Sequence, residues 1–173
     1  MNKLWESSIS DLYHQTVQAY PKTGLRQHAT QPIVITNLQW MPYLGVKTLF
    51  VKGLAQSEGR EYSPMILFKR VNYNTENLTE IVKLFADDGN FYKLEKLSLE
   101  NTDVSLRCNC PDFYWRANYA NFLNGSLYGR KRTKYESQGM RPSVNPTNAP
   151  IICKHLIKMQ EVLQKSNLFK ESQ

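Results

Sequence analysis

All three cysteines of this chain fall in two tripeptides, Cys108-Asn109-Cys110 and Cys153-Lys154-His155, and one of its three histidines completes the second. The pattern is C-x-C, residues 111–152, then C-x-H. Thiolate sulfur and imidazole nitrogen are preferred ligands of zinc, and three Cys with one His form a closed tetrahedral set. A disulfide would leave one cysteine over, and C-x-C is an awkward spacing to bridge. Cys108, Cys110, Cys153 and His155 are therefore the expected ligands of one structural Zn2+. A zinc with four protein ligands has no open position for activating water, so the set argues for structure and against hydrolysis. Asp112, next to the motif, is expected to cap the following helix or to accept a hydrogen bond from His155.

The fuller text is Arg107-Cys108-Asn109-Cys110-Pro111-Asp112-Phe113, then Asn145-Pro146 ahead of Cys153-Lys154-His155-Leu156. It resembles the SWIM-type zinc motif. In its extended form it resembles uncharacterised tailed-bacteriophage proteins that carry a C-x-C-P-D-F block, an aromatic and basic insert, an N-P pair and C-K-H. The resemblance covers residues 104–165, with an insert longer than the usual SWIM spacing. It implies a virion component at the neck, tail or baseplate, made in the host cytoplasm and contacting other virion subunits in several copies. A SWIM-type domain would imply nucleic-acid binding instead.

The insert between the ligand pairs has a chemistry of its own. The net charge of the 173-residue chain is +7. Residues 1–107 hold 12 Lys+Arg against 11 Asp+Glu, and residues 108–173 hold 10 against 4. Such an excess suits nucleic acid or an acidic protein surface, or is merely a solvated basic face. Arg130, Lys131, Arg132 and Lys134 lie between Tyr128 and Tyr135, and cations beside aromatics suit phosphate contact with base stacking. After Asp112 the pattern predicts a helix with two stripes. Phe113, Ala117 and Ala120 can lie close on the protein's own sheet. Trp115, Tyr119 and Phe122 are bulky and, with Tyr128 and Tyr135 of the following loop, are expected to face another chain, the alternative being that the rings fold into the protein's own core.

The elements that must position these residues follow from periodicity and punctuation. Residues 7–20 predict a helix with Ile9, Leu12, Tyr13 and Val17 on one stripe, serine N-caps and a stop at Pro21. A turn at 21–24 and a loop over 26–28 come next. Residues 33–36, 46–55 and 62–73 predict three strands of an antiparallel meander, with a hairpin loop at 56–60. Residues 76–86 predict a helix through Leu78, Ile81, Val82 and Phe85, stopped by Asp87-Asp88-Gly89. Strands are expected over 91–99 and 104–110, the second placing Cys108 and Cys110 on one face. Residues 137–150 hold three prolines and predict an extended loop. A last helix is expected over 151–163 with Ile152, Leu156, Met159 and Leu163 buried, followed by a frayed tail from 166.

The expected fold is α+β: a mostly antiparallel sheet with an N-terminal helix and a zinc-tied C-terminal helical part. Residues 1–107 would form the α+β core and residues 108–173 the zinc motif with its insert, together one structural unit. No apolar run approaches membrane-spanning length, and Met1 to Glu6 has no apolar signal region. Phosphate-loop, dinucleotide, nucleophile-elbow and H-E-x-x-H signatures are missing. Three function classes remain: a structural or adaptor protein, which the resemblance favours; a nucleic-acid-binding module; and, more distantly, an enzyme.

Overall fold

The computed structural model describes residues 7–21, 32–134, 136 and 141–171. The turn expected at 21–24, the loop at 26–28 and Tyr135 lie wholly or mostly outside the described residues. The architecture is α+β, with helices α1 (Ile9–Ala19), α2 (Asn118–Leu123) and α3 (Lys154–Lys165) around antiparallel strands. The strands are β1 (Val34–Tyr43), β2 (Thr48–Ser57), β3 (Arg60–Tyr62), β4 (Met65–Phe68), β5 (Ile81–Phe85), β6 (Phe91–Glu95) and β7 (Val104–Arg107). The main sheet runs β1-β2-β4-β7, with β3 also paired to β2, while β5 and β6 form a separate hairpin.

Helix α1 starts where a capping box forms: Asp11 N–H donates to Ser8 Oγ and Ser8 N–H donates to the Asp11 carboxylate. Its buried stripe is Ile9, Leu12 and Thr16, not the expected Tyr13 and Val17, which remain exposed. Thr16 can be buried because its hydroxyl is bonded on both sides, donating to Leu12 O and accepting from Ile152 N–H. Strand β2 alternates strictly, turning Leu49, Val51 and Ala55 into the core. A Cβ on Gly53 in this strand would lie 3.1 Å from Ile35 Cγ2, so the bare backbone is what lets β1 and α3 close over it.

Three expectations are corrected here. Residues 76–86 are not a helix; Ile81–Phe85 is a strand paired in register with Phe91–Glu95. Val82 and Leu84 point inward while Lys83 and Phe85 point out, a period of two that the β-branched Ile81-Val82 favours over a helix. Asp87-Asp88-Gly89-Asn90 is then a hairpin turn, with Gly89 at φ +85° and Asn90 N–H donating to Asp88 Oδ1. The strand expected over 104–110 stops at Arg107. Its partner β4 starts at Met65, where Pro64 has no N–H for the ladder, and Asn109 Oδ1 takes the Ser63 N–H instead. The segment from 166 is not frayed through residue 170: Leu97 and Lys170 N–H groups bond Leu168 O and Leu97 O, and Phe169 packs on Phe68. One apolar cluster runs from Ile9 through the sheet to Cys108, Cys110, Cys153, Leu156 and Phe169. No helix of the described residues is long and apolar enough to cross a membrane.

Candidate metal centre

The four residues of the C-x-C and C-x-H tripeptides meet beneath the end of the sheet. One ligand atom from each of Cys108, Cys110, Cys153 and His155 lies within 4.8 Å of all the others, and all four side chains are buried. His155, 2 % exposed, turns Nδ1 to the sulfurs, 3.8 Å from Cys108 Sγ and 4.0 Å from Cys153 Sγ. A tetrahedral zinc with bonds of about 2.3 Å to sulfur and about 2.0 Å to nitrogen holds such atoms roughly 3.5–3.8 Å apart. Three soft sulfurs and one imidazole at these separations fit zinc and leave little room for a fifth ligand. The cysteines form no disulfide.

Each ligand has its own support. Cys108 and Cys110 occupy the turn that leaves β7. Helical backbone follows at once over 111–123, and Phe113 N–H donates to Cys110 Sγ at 3.3 Å. Cys153 is the N-cap residue of α3. Two helix N-termini therefore converge on a centre that carries one net negative charge when three thiolates hold a divalent ion. Tyr62 from β3 packs on the His155 ring, 4.6 Å between centroids and tilted by 37°.

Without a metal the thiols compete for one another's protons. Hydrogen bonds from the Cys108 and Cys153 thiols pull Cys110 far below the usual thiol value. Burial pushes Cys153 well above it, and Cys108 is raised chiefly by its bond to Cys110. Loading a cation would expel the protons that the thiols still hold.

The chain leading into Cys153 is held by polar side chains that spacing arguments do not reveal. Asn121, fully buried, forms a two-point clamp, donating from Nδ2 to Ile151 O and accepting Ile151 N–H on Oδ1. Thr16 takes the next amide, Ile152 N–H. Asn145, of the Asn-Pro pair, donates to Arg116 O and Ala149 O and accepts Ala149 N–H. The only hint in the sequence is that asparagines stand in apolar surroundings, at Asn121 between Ala120 and Phe122 for example.

Asp112 is a correction. It makes no bond to His155, whose Nε2 is buried without a partner among the described residues. Its carboxylate instead accepts from Arg116 Nη2 at 2.6 Å, one helical turn on. Nor does it cap the helix through its side chain. The two stripes separate as expected: Phe113, Ala117 and Ala120 are buried, Trp115 is 52 % exposed, Phe122 is exposed, and Tyr119 is intermediate. Residues Phe113–Ala117 form a π-helical turn before α2. Arg132 bonds its carbonyls, donating to Tyr114 O and Trp115 O while its own N–H donates to Asn118 Oδ1. Arg132 is thus a structural pin. Arg130, Lys131 and Lys134 remain exposed, with the Lys131 ammonium 4.5 Å over the Phe122 ring. Tyr128 is half-buried against Phe50 and donates its backbone N–H to Leu106 O.

The fold and the centre define an α+β protein with a buried C-x-C…C-x-H site able to hold a metal ion, for which zinc is the fitting choice. No family model, curated protein or solved structure matches the chain.

Proposed function

We propose that this chain is a non-enzymatic, zinc-stabilised adaptor whose insert contacts another protein chain. The observation that carries the reading is a closed and buried Cys3His donor set with an exposed aromatic helix beside it. The bound ion would supply a cross-link between the end of β7 and the start of α3, anchoring both ends of residues 111–152. Anchoring lowers the entropy lost when the insert docks. Exposed Tyr114 and Trp115 are residue types that supply most of the energy at protein interfaces, and Phe122 and Leu123 are exposed beside them. The resemblance to tailed-bacteriophage proteins makes a virion subunit in the neck, tail or baseplate the setting we favour.

A second reading, nucleic-acid binding, is favoured by Arg130, Lys131 and Lys134 lying exposed beside these rings. Elemental analysis of the purified, dialysed protein tests the first reading, with one zinc per chain expected and a metal-free folded chain overturning it. Any nucleic-acid affinity should weaken steeply with salt, losing about three units of slope when those three cations become Ala. An aromatic protein interface should respond far less.

A further inference from the structure

Two exposed patches of opposite character stand at opposite edges of the main sheet. At the β7 edge is the aromatic helix with its cations. Residues 126–128 join this edge through Leu106 N–H to Ser126 O and Tyr128 N–H to Leu106 O. At the β1 edge is the tip of the β5–β6 hairpin, tied there by Asp87 N–H donating to Trp40 O. Between tip and edge lies a cleft of about 300 Å3 whose wall includes Trp40, Pro42 and Tyr43, with Asp87 and Asp88 at its rim. Tyr43, Phe85 and Phe91 are exposed around it, Phe91 at 62 %. Asp88 accepts the Tyr92 hydroxyl on one carboxylate oxygen and the Asn90 N–H on the other, and both Asp87 and Asp88 are exposed. Lys83 and its cross-strand neighbour Lys93 are on the hairpin's outer face, Lys83 lying over the Phe91 ring.

The two patches cannot meet within one molecule. The strand order β1-β2-β4-β7 puts three inter-strand spacings, roughly 14 Å, between the edges that carry them. Between molecules they are complementary. On the helix patch, Lys131 covers the Phe122 ring and Arg132 lies 5.8 Å from the Trp115 ring, so this chain's own cations already occupy ring faces. The exposed cations of this patch, Arg130, Lys131 and Lys134, suit carboxylates, and rings whose faces already carry a cation suit stacked bases less well. The acidic, aromatic-lined cleft presents carboxylates of that kind.

We infer that a second copy of this chain is the partner: the cleft between β1 and the Asp87-Asp88 turn of one copy receives the Trp115–Phe122 face of the next. The inference deepens the adaptor reading by naming its partner. The contact joins two different surfaces, so it is head-to-tail, and it builds a ring if the rotation closes and a filament if it does not.

The test is sedimentation velocity on the full chain across a concentration series, with zinc content measured on the same samples. The wild-type chain should form dimers and larger species that dissociate as salt rises. A tip variant, Asp87→Lys with Asp88→Lys, and a face variant, Trp115→Ser with Phe122→Ser, should each be monomeric alone. All four positions are exposed or at a turn, and an unchanged zinc content shows that each variant is folded. Mixed together, the two variants should form a 1:1 dimer and nothing larger, because each contributes the one intact surface the other lacks. A wild-type chain that stays monomeric, variants that associate as wild type does, or a mixture that remains monomeric overturns the inference. Association and zinc content are separate readouts, so a zinc-loaded monomer overturns this contact alone, and a metal-free chain overturns the metal reading whatever its association.

Discussion

At the scale of single residues, the metal centre depends on groups that are not ligands. Asn121 is the plainest case, because its amide satisfies both the N–H and the C=O of Ile151 two residues before Cys153. Removing the amide leaves a buried donor and a buried acceptor unpaired, each costing on the order of 1–3 kcal/mol. Asn121→Ala should therefore lower unfolding stability in urea by about 2–4 kcal/mol, whereas Asn124→Ala, at the half-exposed helix end, should cost under about 1 kcal/mol. Equal effects of the two substitutions would show that the clamp does not hold the segment. His155 adds a residue-scale detail of its own. Its Nδ1 faces the sulfurs, so Nε2 must carry the proton when the ring is a neutral ligand.

At the scale of elements, the β5–β6 hairpin is fastened to the C-terminal segment by Lys170, which donates to Glu95 Oε1 at 2.9 Å and lies 3.6 Å from Glu80. The Lys170 bond, helped by Asn72, holds the Glu95 carboxyl below its ordinary value of 4.5, and Glu95 in turn raises Lys170 above 10.5. A depressed carboxyl stabilises the fold above its unfolded value and loses that contribution as pH falls through its folded value. A raised ammonium stabilises below its unfolded value and loses the contribution as pH rises through its folded one. The contact thus contributes between pH about 4.5 and about 10.5. Both groups are partly exposed and screened, so the contribution is about 0.5–1 kcal/mol. Lys170→Met should lose that much at pH 7 and nothing at pH 2.5 in parallel urea titrations; an equal loss at both pH values would assign the effect to packing. The π-helical turn is the other informative element. It offers carbonyls to Arg132, and that geometry removes one cation from the set expected to meet phosphate.

At the scale of the molecule, a metal bound at this centre would tie together parts of a single core. The apolar cluster that contains the three cysteines also contains Leu12, Ile66, Leu94 and Leu163. Stripping the metal should therefore loosen the chain as a whole, not merely release the insert. Structural zinc contributes on the order of 10 kcal/mol of apparent binding energy, comparable to the total stability of a domain. A strong chelator, or Cys153→Ser, should abolish the thermal transition seen by circular dichroism or lower it by tens of degrees. A shift of only a few degrees would mean that the sheet stands without the metal.

How much of this was legible in the sequence differs from element to element. The ligand set was legible because ligand chemistry lives in residue types, and no other arrangement uses every cysteine. The capping box of α1, the two stripes after Asp112 and the α+β class were legible because caps and periodicity are local. Strand β5 reads as helix because Leu78, Ile81, Val82 and Phe85 satisfy a helical spacing while Val82 and Leu84 satisfy alternation, and only pairing with β6, itself legible as a strand, decides between them. The C-terminal segment looked frayed because its anchor, Leu97, lies some seventy residues away. The same holds at the centre itself. Spacing put Cys108 and Cys110 on a strand, yet Pro64 of the neighbouring strand ends the ladder at Arg107 and turns the two sulfurs inward by another route. Composition and local pattern determine what a residue can do. Which partner it meets is a long-range choice, made by the tertiary structure as it satisfies buried backbone groups and fills a single core.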